Sequence, residues 1–496
     1  MVFASLIFLY LFLPLNLIIY FWRPLCDGVQ SFVKSPKIQT LQILANSSSP
    51  ATKFQNIALI IFSLFFYAWG EPIWVSLLLY SSTLDWKMGI FIEKYQGTAK
   101  AKIPLAISLI SNLALLCSFK YADLIVGTVN DLGGFSFKSP GFTLPIGISF
   151  YTFQTISYVI DVYRGEVKAQ RRFMDFLLFV SLYPQLVAGP IVRYVHVAQE
   201  IEHRRHSMSD FAQGLHRMCF GLFKKVFIAN VCGEWVHKSL DGDLGSLSLA
   251  DAWLGISMFT LQIYFDFSAY SDMAIGLAKM FGFKYHENFN NPYIAKSATD
   301  FWRRWHISLG SFFRDYVYIP LGGNKRKQLR NLFIVWALTG LWHGASWNFM
   351  LWGLYFGGFI ALERLFISKV LEKLPVFISH LYLMLMVIVG WAIFYFTDFG
   401  RLLTFLKLLV GQGTVSLIGE STLSNLSSEA FVIALALFWC LPVGQWFREY
   451  LNRRGINPLM RPAGWAGLFI LDLCMLLGSS ALLIGQSYNP FLYFRF

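Results

Sequence analysis

The chain has 496 residues, of which 56% are hydrophobic and 14% are charged, and its mean hydropathy is +0.53. Soluble domains carry about 25% charged residues, so the composition excludes an ordinary soluble protein and predicts an integral membrane protein. The net charge of +13 is explained by basic cytoplasmic loops, and we therefore predict no nucleic-acid partner.

Apolar runs recur along almost the whole chain, and they lack the alternating pattern of membrane strands. We therefore predict an all-α polytopic protein in the lipid bilayer, with one membrane domain over residues 1–496. Two of the runs are not expected to cross simply, and we predict about eleven crossings in total. The runs are Phe3–Trp22, Gln55–Trp69, Ile73–Ile92, Ile103–Phe119, Phe142–Ile160, Phe173–Val195, Met218–Trp235, Ala252–Phe281, Leu332–Leu362, Ile378–Phe396, Phe431–Phe447 and Trp465–Gly485.

The run Phe173–Val195 is predicted to enter the membrane and return on the same side. It lies between two basic segments, Arg164–Arg172 and His203–Arg217, and both are predicted to be cytoplasmic by the positive-inside rule. Pro184 and Gly189-Pro190 supply the helix breakers that a re-entrant turn needs.

The longest polar stretch, residues 284–331, is rich in Lys and Arg and is predicted to be a cytoplasmic interfacial segment. Within it, Asp300–Ile319 places aromatic residues at helical spacing. The residues Ser297–Asp300 are typical of a helix start, and Pro320 with Gly322-Gly323 is typical of a stop. This pattern predicts one continuous helix lying in the interface, with its tryptophans at headgroup depth.

His343 is the only ionisable residue in the run Leu332–Leu362. A straight helix of that length would reach roughly 46 Å, against about 30 Å of hydrocarbon, so one straight span is not expected. Gly340 and Gly344 mark the expected break and would leave His343 near mid-membrane depth. An ionisable group there favours a functional site, because its burial in lipid is costly.

Two histidines are therefore candidate catalytic residues. His343 can accept a hydroxyl proton at neutral pH, and the alternative is a buried histidine bonded to Thr339 or to a helix carbonyl. His306 lies beside Arg303 and Arg304. It is interpreted either as a catalytic or positioning residue or as a solvated side chain at the headgroups.

Candidate substrate-binding residues accompany the histidines. Arg303 and Arg304 could hold donor phosphates, although snorkelling to lipid phosphate explains them equally well. Asp266 and Asp272 lie in a largely apolar run, where carboxylates serve in proton relays or orient a histidine. The alternative is that they cap a broken helix or pair with a cytoplasmic arginine.

No metal site and no tightly bound cofactor are predicted. His203 and His206 lack a third ligand, and the six cysteines show no metal or redox spacing. The chain also lacks a phosphate-binding loop, a dinucleotide fingerprint and a nucleophile elbow. Any group transfer must therefore use a donor activated elsewhere, such as a thioester.

The residues around the two histidines resemble the signature of the membrane-bound O-acyltransferases (MBOAT), in the bacterial branch that includes alginate O-acetylation proteins. The matching segments extend along nearly the whole chain, and one of them contains Gln185, a further substrate-binding candidate. The segments are Phe66–Gly70, Leu144–Tyr151, Tyr183–Ile191, Tyr293–Asn324, Leu341–Ala345 and Ser487–Phe491.

The resemblance implies a helical membrane fold with His343 and His306 near its centre. It implies transfer of an acyl group, most simply acetyl, from a cytoplasmic acetyl-CoA or carrier-protein thioester to a hydroxyl acceptor. His343 is then the expected general base, and His306 orients donor or acceptor. The bacterial branch also implies a place in the inner membrane, an extracytoplasmic polysaccharide such as alginate, and a separate extracytoplasmic acetyltransferase partner of the SGNH type.

The sequence leaves two other function classes open. A proton-coupled transporter would also use buried His and Asp side chains beside a broken helix, but it should show paired repeats, and none is evident in the sequence. A non-catalytic scaffold of a polysaccharide export complex would tolerate the loss of both histidines.

Overall fold

The computed structural model describes residues 1–22, 50–420, 422–454, 462–485 and 491–492. Within these ranges all regular structure is helical, which confirms the predicted all-α fold. The chain divides into two compact units: unit 1 comprises Met1–Met218 and Met273–His286, and unit 2 comprises Cys219–Asp272 and Glu287–Phe496. The single membrane domain over residues 1–496 stays a prediction.

Unit 1 contains the first eight helices, most of α9 and the last residues of α11. A buried carboxylate, Asp85, links two of these helices by accepting hydrogen bonds from Ser108 Oγ (2.5 Å) and Asn112 Nδ2 (2.8 Å). The helices are α1 (Phe8–Trp22), α2 (Pro50–Gly70), α3 (Val75–Lys94), α4 (Lys102–Gly133), α5 (Ile148–Arg164), α6 (Phe173–Ser181), α7 (Tyr183–Leu186), α8 (Tyr194–Glu202) and α9 (Met208–Phe223).

The run Phe173–Val195 is broken where the sequence places its breakers. Helix α6 ends at Ser181, and Pro184 lies in the first turn of the short α7. The chain from Val187 to Arg193 is irregular, and most of it is buried. The break is therefore a feature of the fold, while the re-entrant path through the membrane stays a prediction.

Unit 2 contains the remaining helices and both candidate catalytic histidines. Its core is built largely from aromatic and aliphatic side chains, including the fully buried Trp352 and Trp391. The helices are α10 (Asn230–Leu240), α11 (Leu249–Met280), α12 (Ala298–Arg304), α13 (Ile307–Phe313), α14 (Gln328–His343), α15 (Trp347–Leu362), α16 (Ser368–Leu371), α17 (Val376–Tyr395), α18 (Phe399–Leu409), α19 (Thr422–Cys440), α20 (Val443–Arg453) and α21 (Pro462–Gly485).

The run Leu332–Leu362 forms two antiparallel helices, α14 and α15, rather than one span. Helix α14 ends at His343, and the extended backbone of Gly344 starts the turn into α15. Glycines let the two helices approach closely: a Cβ at Gly340 would lie 2.2 Å from the carbonyl oxygen of Phe349. The predicted break is confirmed, while the depth of His343 in the membrane stays a prediction.

The continuous helix predicted over Asp300–Ile319 is wrong. Helix α12 starts as predicted, because the Ser297 side chain accepts a hydrogen bond from the backbone N–H of Asp300. It ends at Arg304, and His306 adopts a left-handed conformation (φ 44°, ψ 54°) before α13 begins. Apolar periodicity did not reveal the break, since the aromatic spacing continues through it.

The tryptophans of this segment pack against other protein side chains, and their expected headgroup depth stays a prediction. Trp305 is buried, and its ring packs 4.9 Å from that of Trp391. Trp302 is half-buried, and its ring lies 4.8 Å from that of Trp336. The aromatic stripe therefore faces the core of unit 2. Burial of large aromatic surfaces against one another explains this preference, because a protein core offers them more contact than the interface does.

A buried carboxylate holds the start of α12. Glu363, at the end of α15, accepts hydrogen bonds from the backbone N–H groups of Ala298 and Thr299, and the second bond measures 2.9 Å. These groups have no acceptor within the helix, and the helix dipole favours a negative charge there. Glu363 thereby ties α12, which leads into His306, to the α14–α15 pair.

Six helices within the described residues are long and apolar enough to cross a membrane, and α1 is a shorter apolar helix. The predicted total of about eleven crossings stays a prediction. The six are Pro50–Gly70, Ala99–Gly133, Trp347–Leu371, Val376–Tyr395, Thr422–Cys440 and Gly464–Gly485.

The close approach of α14 and α15 predicts unequal effects of two matched substitutions. A Cβ at Gly353 would lie 2.1 Å from the carbonyl oxygen of Trp336, whereas a Cβ at Gly358 would meet nothing within 4 Å. Gly353→Ala should lower the unfolding temperature in detergent, since overpacking costs about 1–3 kcal/mol. Gly358→Ala should leave it unchanged or raise it, because alanine favours helix by about 0.5–1 kcal/mol. Equal unfolding temperatures would contradict the packing described for this pair.

Candidate active site

His306 is buried at the junction of α12 and α13, with 2% of its surface exposed. The ring of Phe267, on α11, packs edge-on against it at 4.7 Å. Burial lowers the pKa of His306 to about 3, so the imidazole is neutral at physiological pH. The alternative of a solvated or headgroup-facing side chain is therefore excluded by its surroundings.

Asn288 makes the hydrogen bonds that hold this junction. Its backbone carbonyl accepts from the N–H of Ile307 at 2.9 Å. Its side-chain oxygen Oδ1 accepts from the backbone N–H of Ser308 at 3.1 Å and from the Ser308 hydroxyl at 2.8 Å. His306 Nδ1 lies 3.2 Å from the same oxygen. Asn288 thus holds the side chain of the left-handed His306 and the backbone that follows it. A left-handed conformation costs on the order of 1 kcal/mol or more, so it needs such support.

His306 lines a cavity of about 500 Å³, which we call the basic cavity. Arg303, Arg314 and Arg364 also line it, and its lining includes no acidic side chain among the described residues. The volume lies within the usual range for small-molecule sites. A cavity with this lining favours an anionic ligand, because arginine presents a planar fork of donors to phosphate or carboxylate.

The structure separates the two neighbouring arginines of the sequence motif. Arg303 lines the basic cavity and has no hydrogen bond or ion pair within the part of the chain that the structure describes. Arg304 does not line it: its Nε donates to Asp300 Oδ1 at 2.9 Å, one turn back on α12. Arg303 is thus available to a ligand, while Arg304 is already paired.

His343 lines a second, much smaller cavity of about 40 Å³, which we call the aromatic cavity. The rings of Trp352 and Phe394 pack edge-on against the imidazole at 4.9 and 5.4 Å. Phe491 and Leu492 complete part of the wall. Within the described residues, Asp266 is the only other ionisable side chain in the lining of this cavity.

Two tryptophans lie close to both histidines or their cavities. Trp305 lines both cavities. The ring of Trp342 lies 6.0 Å from that of His306 and 5.1 Å from that of His343. The structure therefore brings the two sequence-predicted histidines to the same tryptophans.

Asp266 lies at the aromatic cavity but already has partners. Its Oδ1 lies 2.6 Å from Nζ of Lys225, and its Oδ2 accepts a hydrogen bond from the backbone N–H of Leu492 at 2.6 Å. Asp272 is paired in the same way with Lys224, at 2.5 Å. The partners are lysines of the same unit rather than the cytoplasmic arginine considered as an alternative. A role for Asp266 in substrate binding stays a prediction.

Gln185 belongs to unit 1, where it is buried in α7. Its side-chain N–H donates to the backbone carbonyl of Phe179, and its Oε1 has no hydrogen-bond partner among the described residues. Its predicted substrate contact stays a prediction.

Sequence reasoning missed several residues of the site. Asn288 lies 18 positions before His306, and no periodicity relates the two. Arg314 and Arg364 are separated along the chain but reach the same cavity. The only sequence signal for any of these residues was the charged pair Glu363-Arg364, which ends a long apolar run. Of the matching segment Ser487–Phe491, only Phe491 lies within the described residues.

Residues 169–405, which include both histidines, match the membrane-bound O-acyltransferase family. The chain is 34% identical to a probable alginate O-acetylase of Azotobacter vinelandii over the whole of both chains. It is 32% identical to a peptidoglycan O-acetyltransferase of Helicobacter pylori, over 96% of this chain and 89% of the relative. A teichoic acid D-alanyltransferase of Bacillus subtilis is 30% identical, over 42% of this chain and 56% of the relative.

Proposed function

Because the chain belongs to the membrane-bound O-acyltransferase family and is a multi-pass membrane acyltransferase, we propose that it moves an acetyl group from a cytoplasmic thioester for O-acetylation of an extracytoplasmic polysaccharide such as alginate. The observation that carries this proposal is the pair of histidines beside Trp342, each lining one of two cavities that share Trp305. The named relatives are transferases, so they lend no support to a transporter or a scaffold.

The basic cavity supports a thioester donor that carries phosphate. Coenzyme A and the phosphopantetheine arm of a carrier protein share this chemistry. The unpaired Arg303 is the best-placed group to bind it. Arg364 lies on the same cavity, and so does Arg314, which is already paired with Asp315. Entry from the cytoplasm is supported by the basic composition of residues 284–331.

The aromatic cavity supports a small acyl group. A volume of about 40 Å³ has room for roughly three water-sized groups. An acetyl group has three non-hydrogen atoms, whereas a fatty acyl chain would require the aromatic walls to move apart. Its lining of tryptophan, phenylalanine and aliphatic side chains suits a methyl group, because burial of apolar surface is favourable.

The proposed reaction assigns different tasks to the two histidines. His343 accepts the proton of the acceptor hydroxyl as that oxygen attacks the thioester carbonyl. The new carbon–oxygen bond forms and the carbon–sulfur bond breaks. The thiolate leaves with the proton that His343 accepted, which returns the imidazole to its neutral form. His306, which lines the basic cavity, orients the donor.

The final acceptor is proposed to lie outside the inner membrane. A bulky polysaccharide cannot readily enter a cavity as narrow as the one that contains His343. We therefore include an extracytoplasmic acetyltransferase partner of the SGNH type, which receives the acetyl group and passes it to the polymer.

In a reconstituted assay the purified chain with acetyl-CoA and polymer should transfer little, and the partner should restore polymer acetylation. Efficient transfer without the partner would contradict this relay.

Arg303→Gln should weaken donor binding more than Arg304→Gln does. Of these two arginines only Arg303 lines the basic cavity, and a hydrogen bond to a charged group contributes about 1.5–3 kcal/mol. The KM for acetyl-CoA should therefore rise about tenfold or more in Arg303→Gln, measured by acyl transfer in membrane vesicles. Arg304→Gln is the matched comparison, since it removes the same charge one residue away. An equal rise in both variants would contradict the separation of their roles.

His343→Ala should abolish transfer from labelled acetyl-CoA in membrane vesicles while protein abundance stays close to wild type. A general base contributes on the order of 10²–10⁴ to the rate. His237→Ala, at an exposed histidine of α10, is the matched control and should keep the wild-type rate.

His306→Ala should have the smaller effect, because it removes orientation rather than proton transfer. Retained activity in His343→Ala would remove the general-base assignment. A more severe loss in His306→Ala than in His343→Ala would exchange the two roles.

Phe491→Ala should widen the range of acyl groups that the protein accepts. Phe491 forms part of the wall of the aromatic cavity, and one methylene changes discrimination by about 10–200-fold in an apolar pocket. The ratio of rates with butyryl-CoA and acetyl-CoA should therefore rise by at least about tenfold. Phe431→Ala, at an exposed phenylalanine of α19, should leave the ratio unchanged. The size argument fails if Phe491→Ala keeps the wild-type ratio.

A further inference from the structure

Among the buried polar atoms of the site that lack a hydrogen-bond partner, one belongs to a candidate catalytic residue. His306 Nε2 is buried and has no hydrogen bond within the described residues, whereas Nδ1 lies 3.2 Å from Asn288 Oδ1. A buried polar group without a partner is costly and often marks a functional position. Its chemical behaviour depends on the tautomer, since only the unprotonated ring nitrogen of a neutral imidazole can accept a hydrogen bond.

A backbone group determines how the Asn288 amide is turned. The backbone N–H of Ser308 can only donate, and it lies 3.1 Å from the atom assigned as Oδ1. A reversed amide would place an NH₂ group against this N–H, which puts two donors together. The assigned orientation also lets Nδ2 donate to Ser271 Oγ at 3.1 Å. Oδ1 therefore faces both Ser308 and His306.

The same oxygen determines the tautomer of His306. An unprotonated Nδ1 would set its lone pair against those of Oδ1, so Nδ1 must carry the proton and donate it. The Ser308 hydroxyl lies 3.4 Å from His306 Nδ1 but only 2.8 Å from Asn288 Oδ1, so the hydroxyl donates its hydrogen bond to Asn288 rather than to His306. We propose that Asn288 is a positioning residue that fixes this tautomer and presents His306 Nε2 as a hydrogen-bond acceptor.

The surroundings keep this imidazole neutral. Burial alone lowers its pKa, without a contribution from a charged neighbour. The rings that face it from other segments, those of Phe267, Phe289 and Trp342, are uncharged. Of the adjacent arginines, Arg303 lines the same cavity and Arg304 is paired with Asp300. The acceptor state of Nε2 therefore rests on Asn288 rather than on an ion pair.

The inference deepens the proposed function, because it rests on a role for His306 in acyl transfer. An unprotonated Nε2 cannot donate a hydrogen bond to the thioester carbonyl. It can accept a hydrogen bond from the hydroxyl that receives the acyl group or from an amide N–H of a pantetheine arm. His306 therefore orients a substrate that supplies the hydrogen-bond donor.

The test compares Asn288→Leu and Asn288→Asp in the full-length protein, with transfer from acetyl-CoA measured in vesicles across pH. Asn288→Leu removes the acceptor and should lower kcat/KM on the order of 10–100-fold, the range found when the group that orients a functional histidine is removed. Asn288→Asp keeps an oxygen against Nδ1 and should recover part of that rate. Its carboxylate stabilises the imidazolium, so it raises the pKa of His306 and should move the acidic limb of the profile to higher pH.

Asn290→Asp provides the matched control, since it makes the same change at an exposed side chain two residues away. It should leave both the rate and the pH profile unchanged. A wild-type rate in Asn288→Leu would overturn the inference, as would equal losses in both Asn288 variants with unchanged profiles, which indicate a purely structural role. If His306→Ala itself keeps full activity, the proposed role of His306 fails instead, so the two failures are distinguishable.

Discussion

The amide of Asn288 is the interaction on which the arrangement of this site depends. It binds the backbone on one side of a left-handed residue and the imidazole of that residue with the same side chain. The apolar surroundings strengthen this dependence, because a hydrogen bond lost in a low-dielectric interior is not replaced by water. Glu363 adds a second anchor at the other end of α12. The short helix that precedes His306 is therefore held at both ends.

Close packing of unit 2 then gives the two cavities their different characters. Gly340 and Gly353 bring α14 against α15, and large aromatic rings fill the space around His343. Well-packed interiors resist small changes of volume, so under the proposed function a cavity of about 40 Å³ selects by size. The basic cavity shares Trp305 with it and, under the same proposal, selects by charge. A donor with a large anionic part and a small acyl part matches both properties.

Charged groups in this unit fall into two classes. Asp266 and Asp272 are paired with lysines in the interior, where an unpaired charge would cost several kcal/mol. Arg303 has no such partner within the described residues and lies on a cavity. The contrast with Arg304, one position further and paired with Asp300, shows how adjacent positions of one helix can hold a structural charge and an available one.

The amino-acid sequence by itself determined the all-α membrane class and the break at Gly344, and it identified both histidines as candidate catalytic residues, because composition, glycine and an isolated ionisable residue are local signals. The apolar periodicity did not predict the helix break at His306, since a single left-handed residue leaves the spacing of apolar residues intact. Only the tertiary structure decided that Arg303 rather than Arg304 lines the cavity, and that Asn288 reaches His306 from 18 residues away. Both features depend on side-chain direction and on contacts between distant segments, and no local sequence pattern contains that information.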